Sequence, residues 1–250
     1  AQPEDIPLTI LFEDEFVLVI DKPAGLVVHP GAGNWSGTLV NAVLHHSTIT
    51  DTLHKERPGI VHRLDKDTSG VIVFAKNAEA HRKLNLQFDN QQVKKIYHAI
   101  VQGILQNDEL EVDIPLIQNP NGIGVLPSIR GKECLSIIKV LERFKVASLV
   151  EVNLVTGRQH QLRAHVAAIG HPLLVDDLYG ENSEFMLSSI KRRYNLKKNT
   201  DEKPIISRIS MHSCSIEFTH PSSNEVVKFE AAYPKDFEAT LEVLRKYAKL

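Results

Sequence analysis

The sequence predicts an α+β fold, and three observations predict it. Short β-rich runs recur in neighbouring pairs separated by turn residues. Helical stretches fall between those pairs without a regular strand–helix–strand alternation. The composition is that of an ordinary globular chain, 42% hydrophobic and 24% charged over 250 residues, which is enough to bury a substantial core. The longest unbroken apolar runs, such as 16–20, reach five residues, against the ~20 a membrane helix needs. No membrane span is expected, and without a visible signal peptide or lipidation motif the cytoplasm is the expected compartment. Cys134 and Cys214 are too few and too isolated for a disulfide framework or a structural zinc site.

Each element follows from local pattern. Residues 1–7 are polar and hold Pro3 and Pro7, as a linker or loose end does, and 8–250 are expected to form one domain. Apolar runs at 8–12 and 16–20 flank Glu13-Asp14-Glu15, a hairpin pattern, and Asp21-Lys22-Pro23-Ala24-Gly25 follows as a turn. Residues 38–46 read as a short helix. The β-branched run 70–76 reads as a buried strand, after which Asn77 can cap a polar helix reaching about Gln91. A strand over 94–102 ends at Gly103. Between 133 and 156 two β-rich segments flank a turn, with Val150, Val152 and Leu154 alternating against Glu151, Asn153 and Val155. A helix begins near His160, turns Leu162, Val166 and Ile169 to the core, and stops at Gly170-His171-Pro172. Strands near 212–219 and 225–230 are joined by 220–224. An amphipathic helix from about 235 places Phe237, Leu241 and Leu244 on one face.

The formal net charge is −2, from 29 Lys plus Arg against 31 Asp plus Glu. Near-neutrality excludes a polybasic tail, yet the charge is uneven. Residues 1–54 carry a net −6, residues 55–103 a net +4, and the remainder zero. Lys191, Arg192, Arg193, Lys197 and Lys198 fall in a stretch, 186–198, that holds no acid. Such a cluster is more often a solvated face than a binding surface.

Several motifs are weak. The loop Gly31-Ala32-Gly33-Asn34-Trp35-Ser36 misses a dinucleotide fingerprint by its last glycine and lies in no βαβ unit. Neither a phosphate-loop sequence nor a G-x-S-x-G elbow is present. Among 12 histidines, His160 and His165 are five apart, whereas ligands on one helical face need a spacing of three or four. His45-His46 end a helix and suit its dipole, so no metal site is expected.

Two segments are dense in chemistry. His62-Arg63-Leu64-Asp65-Lys66-Asp67-Thr68-Ser69-Gly70 packs two carboxylates between cations just before an apolar strand. It reads as a charged turn, or as a carboxylate kept ionised at a strand edge and able to act as nucleophile or base. In Thr156-Gly157-Arg158-Gln159-His160-Gln161-Leu162-Arg163-Ala164-His165, Arg158 and Arg163 need not face the core, so at least one can reach a carboxylate or a phosphate. From spacing alone, a catalytic Asp–Arg pairing and a structural ion pair look the same.

These segments resemble the signatures of the large-subunit ribosomal type of pseudouridine synthases. HRLDKDTSG (62–70) with its VIVFAK strand matches the first signature. Lys95-Ile96-Tyr97-His98-Ala99-Ile100-Val101-Gln102-Gly103 matches a second, and residues 156–165 with the Gly170–Leu173 GHPL a third. A late motif appears as Arg208 to His212 and Ile216 to Pro221. The order agrees from about residue 8 to the C-terminus, and DKPAGLVVHPGAG with GTLVNAVLHH points to a branch that modifies 23S ribosomal RNA. Met211 stands for the usual Leu, Ser213 for Ala, and Val175 where a Gly commonly precedes Asp176, which is expected to alter one turn. Members often carry a small RNA-binding module ahead of the catalytic domain, and here the chain starts in what looks like the linker.

The resemblance implies a pseudouridine synthase fold, with a mixed, mostly antiparallel central sheet flanked by helices and a central cleft. It implies Asp65 as the catalytic residue and Arg163 as its ion-pair partner, where lysine could not replace the planar fork. Tyr97 is expected against the uracil face, its phenol able to relay a proton, with Met211 as an apolar wall. Arg63 and Arg158 are candidate phosphate contacts. The reaction is an isomerisation, so no cofactor or metal is expected. The expected partner is RNA, large-subunit ribosomal RNA or an assembling particle, bound by a monomer. Rival classes are a non-catalytic RNA-binding protein and a glycosidase using Asp65 and Asp67 on one face of an extended segment, though Trp35 is the one aromatic suited to a sugar.

Overall fold

The computed structural model describes residues 1–50 and 57–250. Asp51, Lys55 and Glu56, counted in the charge blocks above, lie outside the described residues. The helices are α1 (Leu39–His46), α2 (Ala78–Asp89), α3 (Gln161–Ala168) and α4 (Lys235–Tyr247). The strands are β1 (Thr9–Glu13), β2 (Val17–Lys22), β3 (Ser69–Ala75), β4 (Lys94–Gln102), β5 (Glu109–Asp113), β6 (Leu116–Gln118), β7 (Val125–Pro127), β8 (Leu135–Arg143), β9 (Ala147–Leu154), β10 (Met211–Thr219) and β11 (Val226–Glu230). The class is α+β, with antiparallel pairing of β1 with β2, β2 with β3, β5 with β8, β6 with β7, β8 with β9 and β10 with β11. None of the helices found among the described residues is long and apolar enough to cross a membrane.

The chain divides into two compact units, 1–96 with 213–232 and 97–212 with 233–250. In the first, the strand order is β1-β2-β3-β10, with β11 on β10. Val17, Val19, Val71, Val73 and Ala75 of β2 and β3 pack with Ala80 and Leu84 of α2. The alternate residues Leu18, Ile20, Ile72 and Phe74 are fully buried as well. Burial on both faces explains why these strands read as unbroken apolar runs. Thr38 caps α1, and a capping box with Asn41 closes its first turn. The polar start of the chain is tied down there: Asn41 Nδ2 donates to Gln2 O at 2.7 Å, and Gly37 N–H donates to the Glu4 carboxylate at 3.1 Å. As expected, Asn77 caps α2, accepting from Ala80 N–H at 2.9 Å.

In the second unit the order is β4-β9-β8-β5, beside the small β6-β7 hairpin. Phe237, Leu241 and Leu244 of α4 are fully buried against Ile100, Phe144, Leu149 and Val175, as the amphipathic pattern predicts. The structure adds β5, β6 and β7, which the sequence pattern does not predict. Val175, the departure noted before Asp176, is clasped by Ser210: Ser210 N–H donates to Val175 O and Val175 N–H to Ser210 Oγ, both at 3.2 Å. The valine side chain is buried in the core.

Gly70, inside β3, has φ +118°, and a Cβ there would collide with the Ser213 backbone of β10. Gly70→Ala therefore combines a conformation alanine resists with a backbone collision, and should destabilise the protein by about 3 kcal/mol or prevent folding. Urea unfolding followed by circular dichroism reads this loss.

Candidate active site

In the first unit, Asp65 opens a turn closed by Thr68 N–H donating to Asp65 O at 3.1 Å. Leu64 anchors it in the core, while Arg63, Lys66 and Asp67 are exposed and Asp65 is half-buried. This corrects the extended geometry on which a paired Asp65–Asp67 glycosidase would depend, because a closed turn breaks the alternation that puts residues two apart on one face. Trp35, the aromatic such a site would use, is 76% exposed. The turn is fastened from below by Lys22, which is fully buried. Its Nζ donates to Pro23 O, Leu26 O and Lys66 O, each at 2.9 Å, and Gly25 N–H donates to the same Lys66 O at 2.9 Å. The D-K-P-A-G turn and the Asp65 turn are thus bound through one ammonium. Thr68 Oγ1, buried three residues beyond Asp65, has no hydrogen-bond partner among the described residues.

His62 fixes the entry to this turn. Its Nε2 accepts Val73 N–H at 3.0 Å, and its ring stacks on Phe88 of α2 with centroids 4.9 Å apart. Lys95 stands over the same Phe88 ring at 5.9 Å. Burial, and next the Lys95 charge, push the His62 imidazole down to about 3, as its acceptor role requires. Burial likewise depresses the Lys95 ammonium to about 8.

In the second unit, the motif 156–165 builds its own scaffold. Thr156 Oγ1 accepts Leu135 N–H at 3.0 Å and donates to Gln161 Oε1 at 2.7 Å. Gln161 Nε2 donates to Leu135 O and Ser136 Oγ, both at 3.0 Å. His160 takes the left-handed conformation, φ +53°, at the start of α3, and its Nδ1 meets Tyr179 Oη at 2.9 Å. His165 is held by Ser136 Oγ and Ile114 O, both at 2.8 Å, so this histidine is a structural crosslink. Two residues into α3, the buried Arg163 meets the fully buried Asp176 as a fork, Nε to Oδ2 and Nη2 to Oδ1, each 2.8 Å. Its guanidinium carbon lies 5.1 Å from the Tyr179 ring centroid. Burial pushes the Asp176 carboxyl up, but Arg163 and the Tyr179 and Leu178 N–H groups outweigh it and hold the group below its ordinary value.

The remaining expected residues are distributed. Tyr97 is buried in β4 and Met211 is buried at the start of β10. Arg208 pairs with Asp236, Nε to Oδ2 at 2.7 Å, and donates to Met211 O at 3.1 Å, so the late motif's arginine sets the backbone at Met211. Arg158 is exposed, its Nε donating to Glu133 O at 3.3 Å, and does not join the Arg163–Asp176 cluster. Lys22, Asp176 and Tyr179 were absent from the sequence-derived set. A lone lysine following an apolar strand and preceding proline is the signal for the first; Asp176 and Tyr179 leave none beyond the motif they follow.

The two motifs thus each build a rigid support, one for a carboxylate in the first unit and one for a fork-held arginine in the second. Comparison with known proteins identifies the family. The RNA pseudouridylate synthase family profile matches residues 16–168, and the chain belongs to that family. The chain is 41% identical over 245 residues to ribosomal large subunit pseudouridine synthase D of Nitrosomonas europaea, covering 98% of this chain and 67% of that protein. It is 42% identical over 247 residues to the protein of the same name from Pseudomonas aeruginosa, covering 97% and 73%, and with the Neisseria meningitidis relative it spans 64% of the relative's length. The structure of human RNA pseudouridylate synthase domain containing 4 shares the fold, with a TM-score of 0.68, 24% identity, and coverage of 95% of this chain and 93% of that one.

Two outcomes follow from the buried bases. Lys22→Met takes the shared donor from Pro23 O and Leu26 O and leaves Lys66 O with Gly25 N–H, and should cost about 3 kcal/mol, read as a lower urea midpoint at unchanged slope. For His62, the folded value is about 3 against 6.5 ordinarily. The unfolded chain therefore binds more protons between them, and a stabilisation full above pH 6.5 is lost as pH falls toward 3. The urea midpoint of the parent should fall across that window more steeply than that of His62→Gln; parallel curves would dissociate His62 from the acid response.

Proposed function

We propose that this chain isomerises uridine to pseudouridine in RNA of the large ribosomal subunit, acting as a cytoplasmic monomer with residues 8–250 as one catalytic domain. The observation that carries the reading is Asp65, half-buried on a turn fastened by Lys22, in a chain of the RNA pseudouridylate synthase family. The names of its relatives supply the ribosomal substrate.

The reaction breaks the bond between ribose C1′ and uracil N1, turns the base, and joins C1′ to C5. The C5 proton leaves and N1 ends protonated, so no electrons are exchanged and the chemistry calls for no cofactor or metal. The target uridine leaves its stack to react, at a cost of a few kcal/mol. Asp65 is the nucleophile, and its carboxylate must stay ionised while the nucleotide covers it. Arg163 is the cation assigned to it: Asp176 fixes the guanidinium along its Nε–Nη2 edge, and a fork set along one edge presents the other in a defined direction. Tyr97 is assigned to the uracil face and to proton release from C5, with Met211 beside the base. Arg63 and Arg158, both exposed, are assigned to phosphates.

Tritium release from RNA labelled at uridine C5 tests the reading. Asp65→Ala should lose ~10³-fold or more of the parent's rate, and Arg163→Lys roughly tenfold to a hundredfold, since an ammonium cannot reproduce the fork. Release by Asp65→Ala at the parental rate, or none by the parent on unmodified ribosomal RNA, overturns it.

A further inference from the structure

The second unit carries a basic concavity that none of Asp65, Tyr97, Arg163 or Met211 lines. An open surface cavity of about 550 Å³ forms where the β8–β9 turn, the segment after the 3-10 turn Leu187–Ser189, and the last turn of α4 come together. Lys145 comes from the first of these, Lys191 and Arg192 from the second, and Lys246 from the third; among the described residues no acid lines the cavity. The three segments are joined by backbone and core rather than by charge. Lys145 N–H donates to Ala248 O at 2.8 Å, and Phe144 and Ala248 share the buried cluster against which Ile190 packs.

The arrangement holds like charges close. The Lys191 and Lys246 ammoniums each stand 5.4 Å from the centroid of the Tyr247 ring, so they are no more than about 11 Å apart, on the order of one screening length. Complementing the helix dipole accounts for a base in the last turn of α4, which covers Lys246. It does not account for cations brought to the same hollow from two other segments. Arg245, next in α4, is a contrasting structural base, matched by a carboxylate: it pairs with Glu142, Nη2 to Oε2 at 2.9 Å.

We infer that this hollow is a second RNA contact, in which Lys145, Lys191, Arg192 and Lys246 hold phosphates of the backbone away from the reacting uridine. The inference deepens the proposed function and rests on it for the identity of the anion. A backbone rather than a base is the fitting ligand, because the cations come from three directions on an open surface and the Tyr247 ring already carries two ammoniums. Phosphate contacts position an RNA without reading its sequence, so their loss has a recognisable signature.

The test is fluorescence anisotropy of two labelled transcripts, a large-subunit ribosomal RNA fragment and an unrelated stem-loop, across a salt series. The proteins compared are the parent, Lys191→Gln with Arg192→Gln, and Lys246→Gln. Loss of two cations should weaken both RNAs to a similar extent, roughly tenfold, and reduce the salt slope by about 1 to 2. Lys246→Gln should weaken both by a smaller common factor, with melting temperatures within a degree or two of the parent's. Parental affinity and slope in both variants, or a loss confined to one RNA, overturns the inference. A parent that releases no tritium while the variants still lose RNA binding would sink the catalytic reading and leave this contact standing.

Discussion

The Asp65 turn depends on an ammonium placed where water does not reach it. A buried charge must be met by dipoles or by an opposite charge, and Lys22 is met by the carbonyls of Pro23, Leu26 and Lys66. Two of these belong to the segment after β2 and one to the segment before β3. Solvating the lysine and shaping the turn that presents Asp65 are therefore one event, and neither segment can relax without leaving the ammonium short of acceptors. The same coupling recurs at His62, whose ring replaces a strand neighbour for Val73 N–H and so fixes where the turn leaves the sheet.

The second unit handles its charge by pairing. Arg163 and Asp176 are both buried, and each would be costly alone. Together they make a bidentate contact whose plane is fixed further by Tyr179. What sets the arginine in place is neutral: Thr156 and Gln161 tie the start of α3 to Leu135 and Ser136. The chemical density of that motif is thus divided between residues that build a support and one that uses it.

Much of the fold was legible in the sequence because burial on both faces leaves unbroken β-branched runs, as in β2 and β3, and because α4 alternates apolar and polar residues at helical spacing. β5 to β7 were not: Glu109–Asp113 does alternate acids with Leu110 and Val112, but two apolar positions in five residues are a faint signal, and the β6 and β7 strands are three residues each, too short for any periodicity. Asp65, Tyr97 and Arg163 were visible as motif positions. Lys22 was hidden because Asp-Lys-Pro-Ala-Gly has the composition of any exposed turn, and only tertiary packing turns its ammonium inward. Asp176 stood out as the position after Val175, but its pairing with Arg163 was hidden, as nothing local says which of Asp176 and Asp177 the core will claim.

The chain changes units after Ile96, after His212 and after Ala232, and the first two of these points fall within strands β4 and β10. Each unit is consequently assembled from two separate stretches of the polypeptide. No single cut releases either one whole, and the first unit stays unfinished during synthesis until residues 213–232 have been made. For a gene encoding such a protein, the two halves are inseparable cargo: neither can be duplicated, lent to another chain or discarded as one continuous segment.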